Sequence, residues 1–301
     1  MSIGYIGLGN MGGALARRIV REHEVTVYDM NPDAVQGLVA SGAKAASTPA
    51  AVAATCDTIL LCLPTSRHVR SALFDNGGLA ESLRTGTIVI DQTTGDPSMT
   101  REIAKSLEAK GVTFIDAPVS GGPTKAEEGT IAIMVGSSLS QFEHVLPVLR
   151  SISPNIFHAG EVGAGQTVKL VNNMVSATQR LVSLEAMTLA VKNGLDPRKV
   201  VEILVASGGR NAYLERFMVP QIIEGRMNVA FTLGLTLKDL NLACQLGTDS
   251  GVPLLYGNVT RDVMQASVNE FGPNALVDTV AGLVDRAAGT RLVGTESADK
   301  A

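Results

Sequence analysis

The 301 residues are 45% hydrophobic and 18% charged, a globular balance with enough apolar material for a sizeable core. A net charge of −4 gives no global basic field for nucleic acid or an anionic membrane, and no apolar run approaches the roughly 18 residues that span a bilayer. At roughly 150 residues per domain the length suggests two domains. Cys56, Cys62 and Cys244 show no metal-like spacing and read as reduced, buried small hydrophobes. With no room for a secretory signal before the first strand, a cytoplasmic protein is expected.

Ile3 to Ile6 reads as a short strand running straight into Gly7-Leu8-Gly9-Asn10-Met11-Gly12, a G-x-G-x-x-G turn that opens an amphipathic helix. Gly7 permits the tight turn, Gly9 lets the backbone approach a pyrophosphate, and Gly12 lets helix and strand pack closely. The phosphates would then lie on the helix N-terminus, where free N–H groups and the dipole favour an anion. The second strand, Val25 to Tyr28, ends at Asp29, where a carboxylate can bind the adenosine ribose hydroxyls. Asp29 repels a 2′-phosphate and Met30 adds no basic charge, so NAD is favoured over NADP, with Arg17 or Arg18 as cations that could lie nearby.

Thr58 to Leu63 is a continuous apolar run, as a central parallel strand covered on both faces should be. Pro64-Thr65-Ser66 ends it and should form a loop at the carboxyl edge of the sheet. Thr87 to Asp91 is another strand, with Gln92-Thr93-Thr94-Gly95 as its loop and Asp96-Pro97 starting a helix. Both loops are either connectors or cofactor contacts. After a strand at Val112 to Ala117, Ser120-Gly121-Gly122 offers exposed backbone N–H groups, either a cradle for a carboxylate or a tight turn. Lys125 is a surface charge or a second anion contact. A strand at Gly129 to Gly136, a helix at Ser140 to Arg150 and a strand at Asn155 to His158 follow. His158 reads as a strand-end residue. His23, His68 and His144 share no face, so no metal site is expected.

Val162 to Lys192 reads as one long helix. Gly165, Lys169 and Asn173 are spaced by four and fall on one face. Val168, Leu170, Val171, Met174, Val175 and Leu181 make its surroundings apolar nearly all round, the pattern of a buried helix. A lysine there is costly unless it is paired, functional, or snorkelling to the surface. Beyond it only helical patterns appear: Asp196-Pro197 through Ala206, Tyr213–Glu224, Phe231–Ser250, Pro253–Glu270 and Asn274–Ala288. Phe231 precedes Lys238-Asp239 by two turns on the same expected face. The expected organisation is an α/β dinucleotide-binding domain over residues 1–161, a long inter-domain helix over 162–192, an all-helical domain over 193–290, and a polar, disordered tail over 291–301.

Four motifs, in this order, resemble the β-hydroxyacid dehydrogenase family: Gly7-x-Gly9-x-x-Gly12, Asp116-Ala-Pro-Val-Ser-Gly-Gly122, Gly165-x-x-x-Lys169-x-x-x-Asn173, and Lys238-Asp239-Leu240. The resemblance spans nearly the whole chain. It implies a Rossmann-type domain with extra strands, a long helix, and an all-α domain that helps form homodimers or homotetramers. It implies Lys169 as catalytic general acid/base, with Asn173 holding the substrate beside it. Ser120, Gly121 and Gly122 would bind the substrate carboxylate, and Lys238 would sit near the nicotinamide and substrate, with Phe231 lining that pocket. Leu63, Pro64 and Thr94 match cofactor-contacting positions, and with residues 7–12, Asp29, Met30, Thr65 and His68 they make up the expected cofactor-binding set. His68 departs from the pattern, standing where human-type enzymes carry a cofactor-contacting asparagine. Lys125 and Arg210 are the candidates for reading the far end of the substrate.

The chemistry agrees. Oxidising a β-hydroxy acid requires a hydride acceptor, which a nicotinamide cofactor supplies, and a base for the hydroxyl proton. A lysine whose pKa is lowered by desolvation and by a second cation, Lys238 being the candidate, can serve. The expectation is an NAD(P)-dependent dehydrogenase or reductase of small β-hydroxy acids or their semialdehydes, with no nucleic-acid or membrane partner. The alternatives are an imine reductase on the same fold, a type that usually lacks a lysine at the position of Lys169, and a non-catalytic NAD(H)-binding sensor.

Overall fold

The computed structural model describes residues 2–294. The chain forms two compact units that divide between Lys169 and Leu170.

The first unit alternates strand and helix: β1 (Ile3–Ile6), α1 (Asn10–Val20), β2 (Val25–Tyr28), α2 (Pro32–Val39), β3 (Lys44–Ala45), α3 (Pro49–Thr55), β4 (Thr58–Leu61), α4 (Ser66–Phe74), β5 (Ile88–Asp91), α5 (Pro97–Glu108) and β6 (Thr113–Asp116). There follow β7 (Val119–Ser120), α6 (Gly122–Glu128), β8 (Ala132–Gly136), α7 (Leu139–Ile152) and β9 (Ile156–Gly160). The sheet order is β3-β2-β1-β4-β5-β6-β8-β7, with β9 also paired to β8. The six strands from β3 to β6 are parallel, while β8 runs antiparallel to both β6 and β7. This is a Rossmann order extended by extra strands.

The apolar runs explain the layers. In β4, Ile59 and Leu61 pack on one face of the sheet with Val89 and Phe114, while Leu60 packs on the other with Tyr5, Leu15 and Ile90. Both faces are covered, so strand residues can be apolar without alternation. The chain order reverses between β1 and β4, which places the loops after these two strands at the switch point where ligands enter such sheets. The two-residue strands β3 and β7 are too short to show a period in sequence.

Helix α8 (Ala164–Lys192) runs across the division for 29 residues, roughly 43 Å at 1.5 Å per residue. It differs from the expected helix in starting at Ala164 rather than Val162 and in not being buried all round. Leu170, Ala177, Leu184 and Met187 are buried, whereas Val168, Val171, Val175, Val182 and Leu189 are exposed.

The second unit continues with α9 (Pro197–Val205), a π-helical segment Leu214–Ile223, α10 (Leu233–Asp249), α11 (Leu255–Phe271) and α12 (Val280–Ala288). Its core gathers Leu184, Met187, Tyr213, Met218, Leu233, Leu240 and Met264. The π geometry arises where Pro220, lacking an N–H, interrupts the α ladder, and Glu224 N–H then reaches back to Val219 O at 2.9 Å. Helix α10 starts later than the pattern suggested. The Thr232 hydroxyl caps it by accepting from Leu235 N–H at 3.2 Å, and Thr232 pairs with Leu276 in a short antiparallel bridge. Phe231 therefore lies before the helix and does not share a helical face with Lys238. The start of the expected tail is also fastened. The Leu292 N–H donates to Asp285 at 2.9 Å, Val293 N–H donates to the same carboxylate at 3.0 Å, and Leu292 is buried. Residues 295–301 lie outside the described residues. Among the described residues no helix is long and apolar enough to cross a membrane.

Candidate active site

At the switch point the glycine turn has the geometry a dinucleotide requires. Gly7 adopts a φ of +92°, and a Cβ there would lie 2.2 Å from Cys62 O. A Cβ at Gly12 would lie 1.9 Å from Gly7 O, so the first turn of α1 closes onto the loop only with glycine. At Gly9 a Cβ would meet nothing within 4 Å: the space above it is open. The amides of Asn10, Met11 and Gly12 belong to the first helical turn, which has no intrahelical acceptors of its own. A cavity of about 320 Å³ opens here, lined by Leu8, Gly9, Asn10, Arg17, Asp29, Asn31 and Ala34.

Asp29 is fixed by two backbone donors, Leu8 N–H at 2.6 Å and Asn31 N–H at 2.7 Å. Its carboxylate thus ties the glycine turn to the end of β2 and still carries free lone pairs for a ribose. Arg17 lines the cavity but is ion-paired with Glu127, and Arg18 lies against Gly129. Met30 is 90% exposed, outside the cavity lining. These residues fit a bound nicotinamide dinucleotide: an open turn of helix N–H groups and a carboxylate bordering the same cavity.

The loops after β4 and β5 are knitted together. Leu63 N–H donates to Thr93 Oγ1 at 2.9 Å, and Asp96 N–H to Ser66 Oγ at 2.8 Å. Thr65 caps α4, and its hydroxyl contacts His68 Nδ1 at 2.8 Å; Pro64 and Thr94 stand in the same two loops. Ser120 ends β7, and Gly121 and Gly122 both have positive φ, +146° and +77°, turning the chain into α6. The stem of Lys125 folds back over that turn: a Cβ at Gly121 would touch its Cδ at 2.9 Å.

The start of α8 is anchored on Asp116, at the end of β6. This carboxylate accepts from Gly163 N–H at 2.7 Å and from Gln166 N–H at 2.8 Å. Gly136 and Gly165 press against it from two sides, a Cβ at either falling within 3 Å of its oxygens. Burial pushes its carboxyl up to about 6, against the opposing pull of the backbone N–H groups of Gly163, Gln166 and Gly165. The Gln166 side chain bridges to the β5 loop, accepting from Gly95 N–H at 2.8 Å and donating to Thr93 O at 2.7 Å. Lys169 follows one turn later, 8% exposed.

In the second unit, Asn173 Nδ2 donates to Asp239 Oδ2 at 2.6 Å, and Lys238 Nζ pairs with Asp239 Oδ1 at 3.0 Å. Lys238, the candidate second cation, is therefore an ion-paired charge. Phe231 is half-buried against the core of this unit. Arg210 is exposed and ion-paired with Glu215.

Comparison with known proteins fits this arrangement. Residues 2–160 match the NAD binding domain of 6-phosphogluconate dehydrogenase, and residues 163–283 match the NAD-binding family described for NADP-dependent 3-hydroxyisobutyrate dehydrogenase. A 2-(hydroxymethyl)glutarate dehydrogenase of Eubacterium barkeri is 40% identical over 84% of this chain and 85% of its own. The chain belongs to the β-hydroxyacid dehydrogenase family. A 3-hydroxyisobutyrate dehydrogenase of Pseudomonas aeruginosa is 38% identical over 80% of this chain and 83% of its own. The solved 3-hydroxyisobutyrate dehydrogenase of Mycobacterium tuberculosis, with L-serine, superposes with a TM-score of 0.86 at 29% identity, covering 95% of this chain and 98% of that one.

As a β-hydroxyacid dehydrogenase the chain is a nicotinamide-dependent oxidoreductase. Two residues of its site stay hidden in the motif pattern. Asp116 heads a recognised motif without an obvious task, and Gln166 lies between Gly165 and Lys169 as one more polar residue. The signal that could have found them is chemical: a carboxylate and an amide, each in apolar company, need partners.

Proposed function

We propose that this β-hydroxyacid dehydrogenase oxidises a small β-hydroxy acid, or reduces the matching semialdehyde, with NAD as preferred cofactor and Lys169 as general acid/base. The observation that carries the proposal is Lys169 itself, a buried lysine in an apolar stretch of α8, with Asn173 one turn further on. When bound, the nicotinamide supplies the hydride acceptor for the carbinol carbon. Lys169 Nζ takes the hydroxyl proton as the carbonyl forms, and returns it to the alkoxide in the reverse direction. Asn173 orients the hydroxyl without adding charge. The turn at Ser120, Gly121 and Gly122 holds the carboxylate through backbone N–H groups, with Lys125 folded over it as a second anion contact.

Support for NAD comes from Asp29, which borders the cavity as a carboxylate, and from Arg17, whose charge is already met by Glu127. Support for self-association comes from the second unit. There Val171, Val175, Val182 and Leu189 form an exposed apolar stripe on α8, and Leu255, Tyr256 and Val259 another on α11.

The test is initial-rate kinetics with NAD and NADP separately, and with NADH and NADPH for the semialdehyde, wild type beside Lys169→Ala. The substrates are 3-hydroxyisobutyrate, 3-hydroxypropionate, 2-(hydroxymethyl)glutarate, glycerate, tartronate semialdehyde, L-serine and small sulfonated relatives. One substrate is expected to turn over well with NAD, and Lys169→Ala to lose on the order of a hundredfold or more in kcat. Full activity in Lys169→Ala would remove the acid/base assignment, and NADH binding without turnover of any substrate would make the protein a sensor.

A further inference from the structure

We infer that Gln166 is a positioning residue for Lys169: its buried amide bolts the first turn of α8 to the loop after β5, and so sets where the lysine stands relative to the cofactor. The inference rests on the acid/base assignment of Lys169 made above.

Gln166 is fully buried, and its backbone N–H and both polar groups of its side-chain amide are engaged within the first unit. Its N–H donates to the Asp116 carboxylate, its Oε1 accepts from Gly95 N–H at 2.8 Å, and its Nε2 donates to Thr93 O at 2.7 Å. Thr93 in turn holds Leu63 N–H through its hydroxyl, and Gly95 sits so close to Ser66 that a Cβ there would lie 2.0 Å from Ser66 Oγ. The amide therefore holds the loop after β5 directly and the loop after β4 through Thr93 and Gly95, at the carboxyl edge where such a fold receives a dinucleotide. Lys169 lies three residues along the same helix, on a neighbouring position of the same side. Hydride and proton leave adjacent atoms of one substrate, so an acid/base on α8 must be registered against a cofactor held by the sheet. Misplacement by about 1 Å costs on the order of a hundredfold in such arrangements. Asp116 fixes the backbone of the turn; Gln166 adds the side-chain tie to the loops.

The experiment uses Gln166→Met, which matches the length and fills the space but cannot hydrogen-bond. NADH affinity is followed by fluorescence titration, and the pH profile of kcat is recorded with the best substrate. The expected result is a tenfold to hundredfold fall in kcat, a change in NADH Kd below about threefold, and a displaced pH midpoint of kcat. In a Lys169→Ala background the same substitution should cost less than about twofold, because the group being positioned is gone. Gln166→Glu keeps the volume and the Gly95 contact and loses the donation to Thr93. It should show the same pattern, and it carries the test if the methionine variant does not fold. Wild-type kcat and pH profile in both variants would overturn the inference, as would an equal further loss in the Lys169→Ala background. If Lys169→Ala itself stays fully active, the proposed acid/base has failed instead, and the two failures are separable.

Discussion

Asn173 and Asp239 are joined by a 2.6 Å hydrogen bond, and the same carboxylate neutralises Lys238. The amide proposed to hold the substrate is thus held in turn by a buried acid. Removing Asp239 would release both partners at once, and with them the orientation of Asn173. Asp239→Ala is expected to lower kcat roughly tenfold to hundredfold. The Asn173→Ala and Asp239→Ala effects should fall short of additivity by about 0.5–3 kcal/mol in a double-mutant cycle, the range for residues in contact. Additive losses would mean that the two side chains act independently.

The glycines of the first turn divide into structural and ligand-facing. A Cβ at Gly12 collides with Gly7 O, whereas at Gly9 it meets open space. Gly9 also has an extended conformation, φ −61° and ψ −172°, that alanine adopts without strain. Gly12→Ala is therefore expected to destabilise the fold by several kcal/mol, in the manner of overpacking against backbone. Gly9→Ala should melt within a few degrees of wild type while NADH binding weakens on the order of tenfold or more. Thermal melts beside fluorescence titration check both, and unimpaired NADH binding in Gly9→Ala would place the pyrophosphate elsewhere.

The sheet and its switch point were legible in the sequence because continuous apolar strands and a glycine turn followed by Asp29 leave few alternatives. Lys169 and Asn173 stood out as candidates because polar residues among apolar ones are conspicuous at a spacing of four. What could not be read is what is decided by distant packing. The partners of Asp116 come from a segment about fifty residues away. The pairing of Asn173 with Asp239 spans 66 residues. The exposed stripe of α8 looked like core because composition around a helix does not say which side is covered. Phe231 was placed on a helix that Thr232 caps one residue later, and boundaries of this kind depend on a single hydroxyl.

Asp116 makes a pH prediction with a definite sign. Its carboxyl is raised by burial to about 6 from an ordinary 3.8. Between those values the native state binds the proton more tightly than the unfolded chain, so this residue's contribution to stability grows as the pH falls through 6 and is lost as it rises. In Asp116→Asn the contribution is absent. The stability of wild type relative to Asp116→Asn should therefore increase by up to about 3 kcal/mol on going from pH 7 to pH 3.5. Urea unfolding of both proteins across that range measures it. A flat difference would show burial and the surrounding N–H groups to cancel, and one that grows with pH would show the carboxylate to be stabilised in its ionised form by those N–H groups.

The second unit is pinned by a buried charge pair. Arg180 Nε donates to Asp278 Oδ1 at 3.0 Å, Tyr213 Oη donates to the same oxygen at 2.9 Å, and the guanidinium lies over the Tyr213 ring at 4.9 Å from its centroid. Burial, and then the neighbouring Asp278, push the Tyr213 phenol well above its ordinary value, so it stays a donor throughout the working pH range. A buried pair contributes little net stability when whole, because the desolvation of two ions offsets their attraction, but breaking it strands one charge. Asp278→Ala is expected to cost about 3–5 kcal/mol, read from the urea midpoint. Adding Arg180→Met to that variant should recover much of the loss, since the stranded charge is replaced by an apolar side chain of similar length. If the double variant is no more stable than Asp278→Ala alone, the cost lies in the lost Tyr213 hydrogen bond and the vacated volume, and not in an uncompensated arginine.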